Sequence, residues 1–348
     1  MRLSGHVPVG LPGGPAELAR LVRDYEAAGV DDVWVGEGYG FDVPSTLGFL
    51  AAVTERIHVG SSILNAFSRT PAAIAQTAAG IDWLAQGRSM LGLGTSGPQV
   101  IEGFHGVAFE RPVQRITEII EICRRVWRRE PLVHDGEVFQ LPLPSNLGTG
   151  LGKPIKLVQH PVRADIPIWW GSLGSRAVEA TAAVADGWLT YLLMPDRMRT
   201  VWGEALDRGL ARRDPALGPL SIQAGVKVAI GEHVDPTPIH DALRPTLALY
   251  VGGMGARGRN FYNDLAVAYG FEQEAARIQD LYLDGHRDEA AALVPTAWLD
   301  AMCIVGAPGL VAERLDELQK SGVTHVSVDP VGDDPLTTIT KVRELIDA

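Results

Sequence analysis

A chain of 348 residues with 42 acidic against 31 basic side chains carries a formal net charge of -11, which sets most of its surface against nucleic acid and anionic lipid. Its two cysteines, Cys123 and Cys303, lie far apart and outside any CxxC, so a disulfide framework and a thiolate metal site are excluded and reducing cytosol fits. No run of 18 apolar residues and no signal-like N-terminus is present, and a cytoplasmic protein without a membrane span is expected.

Strand-forming runs at residues 3–9, 32–36, 57–63 and 89–94 alternate with helical patterns at 15–28, 44–54 and 71–85. The alternation resumes at 166–170, 188–192, 220–229 and 324–329, which brings the strand count to eight. Strict alternation implies parallel strands joined by right-handed crossovers, and eight of them predict closure. The expected fold is therefore α/β, a (β/α)8 TIM barrel forming one domain over residues 1–348.

Two interruptions read as insertions in barrel loops, about 98–165 after strand four and about 231–309 after strand seven. The first holds a long helix at 111–129, a hairpin at 132–141 turned at Asp135-Gly136, and a Pro/Gly-rich loop at 142–154. The second holds helical segments, including 261–269 and 272–283, before a barrel helix at 310–321.

Barrel active sites are built at the C-terminal ends of strands, so polar residues there carry most weight. Glu37 closes the run Val33-Trp34-Val35-Gly36, where a carboxylate either meets a ligand or caps a neighbouring helix. Ser61 and Ser62 end strand three, with Asn65, Arg69 and Thr70 in the loop beyond. The run from Gly92 to Gly97 matches G-x-G-x-x-G, but Pro98 follows at once, and small residues ending strand four to admit a flat ligand explain it better. In DIPIWWGSLGSRAVEATAAVADGWLTY a strand, a turn and a helix follow one another. Gly171, Ser172, Leu173, Gly174 and Ser175 there place backbone N-H groups at a helix start that suits a phosphate, with Arg176 as a cation in the first turn. From the residues alone, tight packing of a connection explains that turn equally well. No HExxH, GxSxG or complete P-loop occurs, and no metal site is expected.

The stretches VWVGEGYGFDVPSTLGFLAAVTERIHVGSSIL, TPAAIAQTAAGIDWLAQGRSMLGLGTSGPQVIEGFHG, IPIWWGSLGSRAVEATAAVADGWL, NFYNDLAVAYGFEQEAARIQDLYL and IVGAPGLVAERLDELQKSGV, in that order, resemble bacterial luciferase-like oxidoreductases. Within that superfamily the chain is similar to the branch that uses the deazaflavin coenzyme F420, as methylene-tetrahydromethanopterin reductase does. The resemblance implies an oxidoreductase that moves a hydride between F420 and a small organic substrate, and a homodimer. It places Glu37 in the coenzyme pocket, where catalysis is expected, Ser62-Ile63 at a bulge with a non-prolyl cis peptide backing the ring, and Asn65 at the ring edge. Thr95, Ser96 and Gly97 fall at the strand-four wall, and Ser172 to Arg176 at the phosphate turn.

Gly38 and Gly97 stand where the sugar-phosphate dehydrogenases of the branch carry a His and a Glu, which argues against that reaction. Its rivals are an FMN-dependent monooxygenase and a deazaflavin-binding protein without turnover. F420 is favoured over FMN, with Arg69, Lys153, Lys156, Arg163, Arg257 and Arg259 as candidate partners for its anionic tail. Replacing Glu37 by Ala is expected to cost activity much more than stability.

Overall fold

Each of the first strands is followed by a helix long enough to carry the chain back for a parallel neighbour. The elements begin β1 (Arg2–His6), α1 (Gly14–Ala27), β2 (Asp32–Val35), α2 (Val43–Val53), β3 (His58–Ser61), β4 (Leu64–Asn65), α3 (Pro71–Leu84) and β5 (Ser89–Gly94). Then come α4 (Pro98–Gly103), α5 (Pro112–Trp127), a hairpin of β6 (His134–Asp135) and β7 (Gln140–Leu141), β8 (Ile168–Gly171), α6 (Ser175–Val184), β9 (Gly187–Leu189), α7 (Met198–Leu210) and β10 (Ser221–Ile230). The chain ends with α8 (Thr237–Ala248), α9 (Phe261–Ala268), α10 (Glu272–Leu283), α11 (Arg287–Ala292), α12 (Thr296–Met302), β11 (Cys303–Gly306), α13 (Pro308–Lys320), β12 (His325–Pro330) and α14 (Pro335–Asp347).

In the computed structural model, which describes residues 1–348, the strands run β1, β2, β3, β5, β8, β9, β10, β12 and back to β1, all parallel. The expected eight-stranded barrel is closed. Two strands lie beyond that ring. β11 pairs with Lys227–Ile230 on the edge of β10 that β9 leaves free after Gln223, and β4 pairs with the end of β5 after β3 has stopped. The expected strand at 57–63 is thus broken at Ser61. The expected two-residue turn at Asp135-Gly136 is also corrected, because Gly136 to Phe139 form the loop. Buried Glu118 on α5 decides this by accepting the N-H groups of Glu137, Val138 and Phe139.

Alternation along the strands sends Leu3, Val33, Val59, Leu91, Val226 and Val328 outward into the core shared with the helices. The inward set includes Trp34, Met90, Trp169 and Leu189. Trp34 and Trp169 meet edge to face at 5.2 Å, and each indole needs a missing side chain beside it: a Cβ at Gly60 would lie 2.7 Å from Trp34, and one at Gly187 2.2 Å from Trp169. These rings plug the barrel below its C-terminal mouth.

Beneath the plug, buried Asp32 accepts hydrogen bonds from Trp34 Nε1 at 2.6 Å and from Ser4 Oγ, and lies 4.0 Å from buried His325. Burial raises the Asp32 carboxyl to about 6 and lowers the His325 imidazole to about 4. Between those values the folded chain holds a proton on Asp32 that the unfolded chain has lost, so this group favours the fold less as pH rises. His325 acts the opposite way, since there the unfolded chain holds the proton. The pair carries about one proton in either state, so its pH dependence is expected to cancel. His325→Gln should expose the Asp32 contribution: urea unfolding should show stability falling by roughly 2 to 3 kcal/mol between pH 4 and 6.5 relative to the parent. An unchanged profile would mean that Asp32 is charged where it lies.

Candidate functional site

At the end of β3 the chain turns into the barrel mouth through Ser62 and Ile63, which are joined by a cis peptide, before resuming as β4. Ser61 anchors this bulge, its Oγ donating to Gly92 O at 2.8 Å and accepting from Gly92 N at 2.9 Å. The bulge fits because four glycines on or just after three surrounding strands, β2, β5 and β8, leave room for it. A Cβ at Gly94 would sit 1.6 Å from Ile63 Cδ1, one at Gly171 2.9 Å from Ile63 Cγ2, one at Gly92 1.8 Å from Ser61 O and one at Gly36 3.0 Å from Ser62 O. This corrects the reading of the strand-four glycines. Gly92 and Gly94 admit the bulge, and the bulge in turn presents Ser62 and Ile63, both partly exposed, to the mouth. Gly97 meets nothing within 4 Å and starts α4, while Thr95 and Ser96 lie half-buried before it, Ser96 at a left-handed φ of 54°.

Glu37 lines a cleft of about 540 Å³ with His6, Val7, Val9, Gly36, Tyr39, Gly40 and Phe41. Its side chain is only 9% exposed, and each oxygen already accepts twice. Oε1 takes Arg69 Nη2 at 2.7 Å and Val43 N at 3.3 Å; Oε2 takes Arg69 Nη1 at 2.9 Å and Asn65 N at 3.0 Å. The helix-start alternative holds, since Val43 is the first residue of α2 and its N-H donates to Glu37, and the same carboxylate also lines the cleft. A carboxylate with four donors positions the loop after β4 and has no lone pair directed at a substrate proton. Asn65 is buried; its Oδ1 accepts Phe67 N at 2.8 Å, and its Nδ2 has no partner.

After β8 the turn through Ser172, Leu173 and Gly174 leads directly into α6. The Ser172 hydroxyl faces away from solvent, 2.9 Å from Thr181 Oγ1, and the Ser172 and Leu173 carbonyls accept from the indoles of Trp188 and Trp202. No side chain caps α6, and a Cβ at Gly174 would meet open space, so the first N-H groups around Ser175 stand free. Arg176 departs from expectation. It shares a face with Glu179, Ala180 and Ala183 and lines a groove against Val113, Gln114 and Thr117 on the outside of the barrel.

Sequence reasoning missed the wall opposite the bulge. Gln223, Gly225 and Lys227 on β10 face inward in register with His325, Ser327 and Asp329 on β12, and His6 on β1 continues the same layer. Lys227 is ion-paired with Asp329, and Gly225 is exposed inside the mouth. Tyr191, beyond β9, meets Tyr250 at 4.9 Å between ring centroids, and Tyr250 meets Tyr262 at 4.7 Å. Tyr250 lies in a π-helical turn, Leu249–Gly253, a local distortion of the kind that re-aims side chains. The period-2 burial of β10 sets Lys227 on the inward side, but a single lysine in a strand carries no signal of its own in the sequence.

A family model described as luciferase-like monooxygenase matches residues 3–325. The chain belongs to this family. Among relatives in the family, it is 38% identical over 317 residues to a Mycobacterium tuberculosis protein named as a coenzyme F420-dependent oxidoreductase, covering 90% of each chain. To 5,10-methylenetetrahydromethanopterin reductase of Archaeoglobus fulgidus it is 28% identical, covering 95% of each. Among solved structures, the F420-dependent tetrahydromethanopterin reductase of Methanopyrus kandleri superposes with a TM-score of 0.76 at 22% identity, covering 98% of this chain and 96% of that one. That likeness establishes the shared barrel of this family. The chain is thus an enzyme of the luciferase-like family, and no helix in it is long and apolar enough to cross a membrane.

Proposed function

We propose that this enzyme is an F420-dependent oxidoreductase that exchanges a hydride between the coenzyme and a small organic substrate in the barrel mouth. The observation that carries this reading is the 38% identity, over nine-tenths of both chains, to a protein named for F420 dependence. The geometry fits such a group at three places. The uncapped start of α6 offers backbone N-H groups to a phosphate, the unpartnered Asn65 Nδ2 suits the edge of a heteroaromatic ring, and the Ser62-Ile63 bulge offers a face for it. When bound, F420 supplies a two-electron hydride donor or acceptor. The protein would position it: Ile63 would back the ring, Arg69 and Glu37 lock the loop that carries Asn65, and the indole plug below would keep water from entering through the barrel.

Tail recognition rests on fewer cations than the six considered from the sequence. Arg69 is committed to Glu37, Arg163 binds buried Asp82 and Ser89 O at the start of β5, and Arg257 pairs with Asp280 and Asp284. Lys153, Lys156 and Arg259 have no acidic partner, but Ile155 and Leu157 are tied to Leu132 and Arg129 past the C-terminal end of α5, away from the strand ends, which leaves Arg259 for the tail. Titration of the protein with F420 and with FMN at several salt concentrations tests the assignment. F420 should bind more tightly, with affinity that weakens as salt rises, and Arg259→Ala should flatten that salt dependence. Tight FMN binding without measurable F420 binding would replace the proposal with oxygen chemistry on FMN.

A further inference from the structure

The wall across from the bulge carries a polar group that neither the relatives' names nor the coenzyme explains. Lys227 projects from β10 into the mouth between exposed Gly225 and the end of the strand, its ammonium held by Asp329 in the register pair directly beside it. His6 lies on the same layer of β1, two residues beyond the Ser4 and Ser327 pair. One step deeper, the side-chain amide of Gln223 is buried with no partner for its Nε2. No Cβ fills the space over Gly225, and nothing lies within 4 Å of where one would be. Thr190 donates to Gln223 O, so the chain leaving β9 runs alongside β10 and carries Tyr191, against which Tyr250 and Tyr262 pack. A polar donor pair at the back of a hollow with an aromatic side suits a ligand with one oxygen and a flat apolar body.

We propose that Lys227 donates to the oxygen of a neutral carbonyl substrate and supplies its proton as the carbonyl carbon receives a hydride. This rests on the F420 reading above. Asp329 decides the substrate's charge. With the ammonium already neutralised, the wall has no spare positive charge for a carboxylate or phosphate, whereas a neutral carbonyl can take an N-H of Lys227 without displacing Asp329. The step would balance: a reduced deazaflavin, when bound, would supply the hydride, and the C=O π pair would move to oxygen and take a proton from Lys227 Nζ, which solvent would replace.

Ligand-observed NMR on the protein, alone and with oxidised F420, tests this with acetophenone as the neutral probe and benzoate as its anionic counterpart. The parent should bind acetophenone in preference to benzoate. Lys227→Met should weaken acetophenone binding roughly 10- to 100-fold, the range for loss of a charged hydrogen bond, and Lys227→Arg should restore most of it. Asp329→Asn, which releases the ammonium charge, should reverse the preference toward benzoate and serves as the test should Lys227→Met fail to fold. Equal acetophenone binding by parent and Lys227→Met, a parent that prefers benzoate, or no acetophenone binding by the parent overturns the proposal. A separate F420 titration distinguishes the two readings: failure of the parent to bind F420 removes the coenzyme assignment and leaves the acetophenone result standing. Unchanged F420 binding by Lys227→Met confines its defect to the substrate wall.

Discussion

Adding a single methyl group in Gly92→Ala is expected to lower stability by about 3 kcal/mol and to abolish coenzyme binding. The new Cβ would fall 1.8 Å from the carbonyl oxygen of Ser61, a backbone atom that no rotamer change can move aside. Gly92 also exchanges two hydrogen bonds with the Ser61 hydroxyl, so any shift that relieves the clash breaks the stitch between β3 and β5. The bulge that follows would then lose its seat over Gly94 and Gly171. Urea unfolding and an F420 titration, read side by side, check both halves of the expectation. Gly309→Ala is the control, because a Cβ there meets nothing within 4 Å and the site is an exposed first turn of α13. It should gain up to about 0.5 kcal/mol from helix propensity. If Gly92→Ala behaves like Gly309→Ala, the bulge tolerates rearrangement and cannot be the rigid support proposed for the ring.

Glu37→Ala is expected to damage stability as well as activity, which revises the expectation formed from the sequence. The substitution strands Arg69, 22% exposed at its side chain, and leaves the N-H groups of Val43 and Asn65 without their acceptor. Removing one partner of a largely buried, bidentate pair costs about 2 to 4 kcal/mol, most of it from the charge left behind. Arg69→Ala should cost a similar amount. Because both changes break the two Glu37–Arg69 bonds, the double variant should be destabilised by clearly less than the sum, and thermal unfolding of all four proteins measures that coupling. Additive losses would mean that the two side chains act independently. Glu37→Gln keeps an acceptor for one arm of Arg69 and one backbone N-H, so it should recover part of the stability. Recovery of activity to the same degree would mark Glu37 as a positioning residue; recovery of stability with activity still absent would assign it a charge-dependent role in the reaction.

How far the sequence carries is clearest where the information is local. Strand and helix periods follow from burial on one face, so the eight barrel strands were legible, and α10 begins and ends at Glu272 and Leu283 as its pattern indicates. Glu37 was also legible, because a carboxylate directly after an apolar strand is unusual wherever that strand ends up. The small residues of Ser172 to Ser175 left an open helix start and a tightly packed connection equally legible, and only the tertiary structure shows α6 starting without a side-chain cap. What stayed hidden depends on pairs that closure of the barrel brings together from distant positions. Arg163 looked like a free cation until it met Asp82, and Arg69 until it met Glu37. β11 was lost because a strand of four residues outside the ring has no period of its own and exists only through the exposed edge of β10. The glycines of strand four were misread for the same reason. A missing side chain says that something approaches closely, but only the tertiary structure decides that this is Ile63 rather than a ligand. Lys227 is the furthest case, since one lysine in a strand carries no signal until the curvature of the sheet turns it inward against Asp329.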